Sequence, residues 1–254
     1  MPARNPRKYG WVPGLPDHRD YKLVHRPERM AHRAPSASLI DHMPPVYDQG
    51  QVGSCTGNAS AAAYEYRCIT EGLPYWTPSR LFAYYNARKI EGTTASDAGA
   101  QIKDVVAGMV KWGNVQETEW PYDENAWATD PGEKCYADAL GHRVTAYLSV
   151  NQTVDDICTT LANGEPIIFG FSVYSAFEGQ DVAKSGVLNV PSRDESLLGG
   201  HAVLAVGYDD ATRRVTVRNS WGPDWGQKGY FTMPYEYITN PDLADDFWIL
   251  RTVV

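Results

Sequence analysis

Cys55, Gln49, His201 and Asn219 are the side chains whose types and spacing suit nucleophilic acyl transfer. Cys55 stands where the glycine-rich stretch Asp48-Gln49-Gly50-Gln51-Val52-Gly53-Ser54 runs into apolar residues at helical spacing, Ala59, Ala62, Ala63 and Tyr66. A cysteine in a first helical turn lies near unsatisfied backbone N–H groups and the positive end of the helix dipole. Both favour the thiolate, which is the nucleophile. Taken alone, such a cysteine also fits a small buried hydrophobe, since free cysteine is among the most buried residue types. A cysteine nucleophile needs a histidine to hold an ion pair and to protonate the leaving amine. The histidine needs an acceptor that fixes its ring, and an asparagine oxygen serves. Trp221 is placed to shield that bond from water. The backbone N–H of Cys55 and the amide of Gln49 are placed to meet a developing oxyanion. Taken singly, His201 reads as structural, Gln49 as solvated loop and Asn219-Ser220-Trp221-Gly222 as an aromatic turn.

The elements that must position these groups change character along the chain. Residues 1–43 hold six prolines and four histidines with little hydrophobic pattern. They read as an extended arm that docks through Tyr9, Trp11, Val12, Leu15, Tyr21, Leu23 and Val24. A helix runs from Cys55 to about Thr70. Thr77-Pro78-Ser79-Arg80 starts a second, with Thr77 as cap and Pro78 in the first position. Gln101–Trp112 makes a third, stopped by Gly113. Beyond a boundary near Trp120–Asn125, one helix follows Thr153. The apolar runs after it have strand length: 166–173, 201–208, 214–219, 229–233 and 247–253. Helices segregated from strands make an α+β protein. It has a helical lobe over about 50–120 and a β lobe over about 125–254, the latter an antiparallel sheet or half-barrel. Cys55 and His201 then come from different lobes, and a peptide or protein substrate lies in the cleft between them.

Composition narrows the partners. The chain has 254 residues, and its net charge of -8 argues against nucleic acid or an anionic membrane as partner. No apolar run reaches transmembrane length, and no signal-peptide core follows the basic N-terminus. A cytoplasmic location, or export without a visible signal peptide, is expected, as is a monomer. Cys55, Cys68, Cys135 and Cys158 form no C-x-x-C pair, so no metal or other cofactor is expected. Cys68 and Cys158 read as buried free thiols on helices, and Cys135 falls in a polar loop. The acidic pairs Asp209-Asp210 and Asp245-Asp246 read as solvated turns rather than a calcium site.

At these residues the chain resembles the papain-like cysteine peptidases. Asp48-Gln49-Gly50, Gly53-Ser54-Cys55, His201-Ala202-Val203 and Asn219-Ser220-Trp221-Gly222 match four blocks of that family in order. His201 falls within the roughly 130–150 residues expected after the nucleophile, and Asn219 somewhat past it. Asp97-Ala98-Gly99 and Trp120-Pro121-Tyr122 are weaker matches. The resemblance covers roughly residues 44–254 and implies a papain-like two-lobe fold. It implies Cys55 as nucleophile, His201 as acid/base, Asn219 as the residue that orients it and Gln49 as oxyanion donor. It further implies that Gly99 hydrogen-bonds substrate backbone, that Trp221 shields the site, and that Gly170 and Ala202 border the pocket for the second residue before the cut.

Departures from the family pattern shape the expectations. Val52 stands where many members have a disulfide cysteine, and Thr56 replaces the aromatic after the nucleophile. Gly200 replaces an acidic residue that some members have before the histidine. This points to a bacterial-type branch without the usual disulfides. The short arm in place of a long helical propeptide is expected either to limit access to the cleft or to strap the back of a lobe. The leading expectation is an endopeptidase that forms a thioester acyl-enzyme. The alternatives are a transamidase or cell-wall peptide amidase with the same triad, or a non-catalytic peptide-binding relative.

Overall fold

The computed structural model describes residues 8–15 and 17–251. In chain order its elements are helix α1 (Pro27–Ala31), strand β1 (Ser36–Ser38), helices α2 (Cys55–Thr70), α3 (Arg80–Glu91), α4 (Ile102–Lys111) and α5 (Gly132–Ala139), strand β2 (Tyr147–Ser149) and helix α6 (Val154–Ala162). There follow β3 (Ile167–Tyr174), α7 (Gln180–Ser185), β4 (Leu197–Asp209), β5 (Arg214–Arg218), β6 (Tyr230–Pro234), α8 (Tyr235–Ile238) and β7 (Ala244–Leu250). The strands form one seven-stranded sheet of order β2-β7-β3-β4-β5-β6, with β1 added on β4, and every named pair is antiparallel. The α+β division expected from the sequence is the one observed.

Helix α2 is the central element. Its residues Cys55 to Tyr66 are all buried, which a run of Ala, Gly and Ser permits because small side chains let neighbours close in from every side. A Cβ on Gly57 would stand 2.6 Å from the carbonyl oxygen of Arg80, so α2 and α3 meet almost backbone to backbone. α2 packs on α3 and α4 on one side and on β4 on the other. It therefore joins the helical half to the sheet, and its first residue faces the junction.

Several local expectations need correction. Ser79, not Thr77, caps α3, and its hydroxyl accepts the N–H of Phe82. Pro78 instead makes a bridge with Gln116. Cys135 lies on the buried side of α5, a helix that the polar, apolar-poor stretch around it conceals. β4 begins four residues before His201, and β7 begins at Ala244 rather than Phe247. All four cysteines are free and buried. Among the described residues no helix is long and apolar enough to cross a membrane.

The arm is docked along much of its length. Ser36–Ser38 extends the sheet on β4, and Leu23 donates its N–H to Ser149 O at 2.8 Å. Trp11 is buried and Tyr9 and Leu23 are partly buried, but Leu15, Tyr21 and Val24 are more than 80% exposed and do not dock.

Candidate functional site

The loop before α2 is clamped from both halves of the molecule. Gln49 N–H donates to Ser220 O at 2.9 Å and Gly222 N–H to Tyr47 O at 2.9 Å, which ties residues 47–49 to the loop after β5. Asp48 and Trp221 form the bridge between them. From α3, the Arg80 guanidinium grips Glu117 with two bonds of 2.8 and 2.6 Å and donates to Asp48 O and Asn58 Oδ1 at 3.1 Å each. It also lies 3.9 Å over the Tyr122 ring. The Tyr122 hydroxyl donates to Gln49 O at 2.8 Å and lies 2.5 Å from Ser54 Oγ. Trp120-Pro121-Tyr122 thus acts on the loop through Tyr122.

Four side chains singled out in the sequence meet here. Cys55 is the first residue of α2, and the backbone N–H of Ala202, next to His201 on β4, points at its Sγ from 3.4 Å. His201 Nε2 lies 2.8 Å from Asn219 Oδ1. That oxygen also accepts the Ser220 N–H at 2.8 Å, so it is an acceptor and the imidazole nitrogen facing it carries the proton. The His201 ring lies 5.2 Å from Trp221, and Phe177 packs on both, 4.9 Å from Trp221 and 6.2 Å from His201. Gln49 is fully buried. Its Oε1 accepts from Ser220 Oγ at 2.6 Å, which turns Nε2 toward Val52 O at 3.1 Å.

Burial works against the thiolate in this state. Cys55 has no exposed surface, and burial pushes its thiol up to about 11, against the pull of the N–H groups of Ala202, Gly10, Thr56 and Cys55 itself. The helix-terminus effect expected from the sequence is present but outweighed, because what covers the sulfur is the protein's own arm. Gly10 sits so close to Gly53 that a Cβ would stand 1.7 Å from Gly53 O. Its carbonyl accepts the Ala100 N–H at 2.8 Å, and Val12 N–H donates to Ala100 O at 3.1 Å. Trp11 runs parallel to Ala100 in this ladder, and its N–H donates to Gly200 O at 3.0 Å.

Each neighbouring arm residue has its own seat. Lys8 pairs with Asp97 at 2.8 Å, and its carbonyl lies 3.4 Å from Gln49 Nε2. The Tyr9 ring leans edge-on over His201 at 6.1 Å, and its hydroxyl donates to Glu178. Trp11 lies against Gly170, and Ala202 is opposite Gly170 across the β3–β4 pair. Gly99 lies under Gly10, with φ of 83° and no room for a Cβ. Its N–H goes to the Tyr84 hydroxyl at 3.0 Å, so the backbone partner of the arm is Ala100.

Sequence reasoning gave Tyr84, Ala100 and Glu178 no part in the site, gave Asp97 none beyond a weak match and read Asp246 as a solvated turn. Asp97 had a signal, since it adjoins Gly99. Its carboxylate takes the Gly53 N–H at 3.1 Å and the Tyr84 hydroxyl at 2.6 Å, which joins the 97–99 loop to the loop before Cys55. Asp246 is partly buried against the arm, not the solvated turn expected of it.

Comparison with known proteins agrees with this architecture. A family model described as papain family cysteine protease matches residues 27–246. The uncharacterized peptidase C1-like protein L477 of Acanthamoeba polyphaga mimivirus is 41% identical over 215 residues, covering 81% of this chain and 69% of the viral protein. Cathepsin B-like CP3 of Giardia intestinalis is 34% identical, covering 74% of this chain and 64% of that protein. Xylellain, a cysteine protease from Xylella fastidiosa, superposes with a TM-score of 0.91 at 42% identity over 99% of both chains.

Proposed function

Because the chain belongs to the papain family of cysteine proteases, we propose that it is an endopeptidase in which Cys55, His201, Asn219 and Gln49 do the chemistry. The observation that carries this is the hydrogen bond from His201 Nε2 to Asn219 Oδ1 beside a helix-terminal cysteine. In the open cleft the thiolate of Cys55 attacks the scissile carbonyl carbon and an S–C bond forms. The carbonyl oxygen takes the negative charge and is held by the Cys55 N–H and Gln49 Nε2. His201 gives its proton to the leaving nitrogen as the C–N bond breaks, which leaves a thioester. A water molecule then attacks the thioester, losing its proton to His201, and the acid product leaves. Asn219 keeps the imidazole turned correctly through the cycle, and Trp221 keeps water from their bond.

The seated arm is read as an inhibitory segment. It offers Sγ an N–H from Gly10 rather than a carbonyl carbon, so it occupies the cleft without meeting the geometry of attack. Gly99, Gly170 and Ala202 would then border the substrate as they border the arm.

Labelling with an epoxide of the E-64 type tests the assignment. Stoichiometric labelling at Cys55, lost in Cys55→Ala along with peptide hydrolysis, is expected. Hydrolysis that persists in Cys55→Ala with an unchanged fold overturns it. Product analysis with an added amine separates hydrolysis from transamidation, and hydrolysis is expected to dominate.

A further inference from the structure

Residues 94–101 are the ledge on which the arm forms its ladder, and helix α3 holds that ledge through one stripe of side chains. Tyr84, Arg88 and Glu91 stand four and three residues apart, which puts them on one face of α3. Each reaches the backbone of the ledge. Glu91 Oε1 accepts the Gln101 N–H at 2.8 Å at one end. At the other end the Arg88 guanidinium donates to Thr94 O at 3.3 Å and to Ser96 O at 3.0 Å. Between them the Tyr84 hydroxyl accepts the Gly99 N–H at 3.0 Å and donates to Asp97 Oδ1 at 2.6 Å. The Asp97 carboxylate in turn accepts the N–H of Gly53, which lies just before Cys55.

Tyr84 also touches the helix that carries the nucleophile. A Cβ on Gly57, in the first turn of α2, would stand 3.1 Å from Tyr84 Cβ. The base of the side chain is therefore set against α2 and its tip against the ledge, with a rigid phenol ring between them. Tyr84 is fully buried, and the Arg88 guanidinium lies 4.0 Å over its ring. Burial, and after it the bond to Asp97, raises the pKa of the hydroxyl, so it stays a donor. We propose that Tyr84 is a positioning residue for the peptidase reaction, its hydroxyl fixing the distance from the substrate-bearing ledge to Cys55. The proposal deepens the peptidase reading and rests on it. Removing the hydroxyl keeps the ring and its contacts with Gly57 and Arg88 but cuts the link from Gly99 to Asp97. A buried N–H left unpaired is costly, and Gly99 regains a partner only by a shift of the ledge. A shift of about 1 Å in a group that positions substrate costs up to about a hundredfold in rate. The thiol of Cys55 is untouched by that change.

The test takes the full-length Gly10→Ala protein as parent, because a Cβ at position 10 would stand 1.7 Å from Gly53 O and keeps the arm off the ledge. Tyr84→Phe is added, and Cys55 is labelled with two reagents. A peptidyl epoxide of the E-64 type lies along the ledge, whereas iodoacetamide needs only the thiolate. Tyr84→Phe is expected to lower the epoxide rate, and kcat/KM for a fluorogenic peptide, by about tenfold or more. Iodoacetamide labelling is expected to stay within about twofold of the parent, since the groups that set the thiol's ionisation are unchanged. Asp97→Asn, which keeps the shape and weakens the same link, is expected to show a smaller split in the same direction. It decides the matter if Tyr84→Phe lowers the denaturation midpoint. An epoxide rate and kcat/KM that hold in Tyr84→Phe, or a loss of equal size with both reagents, overturns the proposal. A parent that reacts with iodoacetamide but takes no epoxide and cuts no peptide fails the peptidase reading instead. Calorimetric binding of the same peptide to the parent and to Tyr84→Phe then decides the ledge: an affinity about tenfold weaker is expected, and an equal affinity overturns the assignment.

Discussion

The indole of Trp11 rests directly on the backbone of Gly170, in space that the side chain of any other residue would occupy. An arm residue and a β3 residue far apart in sequence are thus fitted to each other, and the fit continues at Gly10 on Gly53 and at Tyr9 on His201.

The fit makes the arm easy to unseat from the arm's own side. A methyl group at position 10 would stand 1.7 Å from a backbone oxygen that α2 and its loop hold in place. Gly10→Ala is expected to raise the rate of epoxide labelling at Cys55 by about tenfold or more, the effect of losing roughly 1.4 kcal/mol or more of docking. The denaturation midpoint of the folded body is expected to hold. Labelling no faster than in the native chain would show that the arm is no barrier.

The ionisation of Cys55 follows the arm. With the arm seated, burial raises the thiol to about 11, so the thiolate is scarce at neutral pH. Opening the cleft returns water to the sulfur and leaves the N–H groups of the helix start, which lower a thiol's pKa. The midpoint of labelling rate against pH is expected to fall in Gly10→Ala relative to the native chain. An unchanged midpoint across the two proteins contradicts the burial argument.

Acid should loosen the arm at its Lys8 end. Burial pushes the Asp97 carboxyl up, but Lys8, the Tyr84 hydroxyl and the Gly53 N–H together hold it below its usual value. A lowered native pKa means that the carboxylate's contribution is fully present above about pH 4 and is lost as pH falls through the native pKa. Limited proteolysis within the arm is expected to accelerate as pH drops below about 4, and Asp97→Asn should show that acceleration already at neutral pH.

Arg80 is the structural counterpart of the site. It joins α3 to the loop of Gln49 through Asp48 O, to α2 through Asn58, and to Glu117 through two bonds. Arg80→Ala leaves the partly exposed Glu117 without its partner and removes the bonds to Asp48 O and Asn58, a loss below the roughly 3–5 kcal/mol of a fully buried pair. A denaturant midpoint lowered accordingly is expected. Arg80→Lys should recover only part of the loss, since an ammonium cannot make the two-pronged bond.

The chain by itself determined the family, the candidate groups for the proposed chemistry and the main elements. Cys55 at a loop-to-helix junction, His201 at a strand and Asn219 at a strand end are local patterns: each depends on its own neighbours' propensity and periodicity, and those are written along the chain. The helices after Cys55, Arg80, Gln101 and Thr153 were legible for the same reason, as were the strands around His201 and Arg214. Helix α5 was not, because its short, mostly polar stretch carries little periodic signal. What only the tertiary structure decided is where the arm lies and which groups receive it. Trp11 meets Asp246 across 235 residues, and Tyr9 meets Glu178 across 169. Asp246 beside Asp245 looks like any solvated turn until the fold brings an indole to it. Pairings of that range follow from packing and loop closure rather than from spacing, so neither partner's own sequence neighbourhood announces the other.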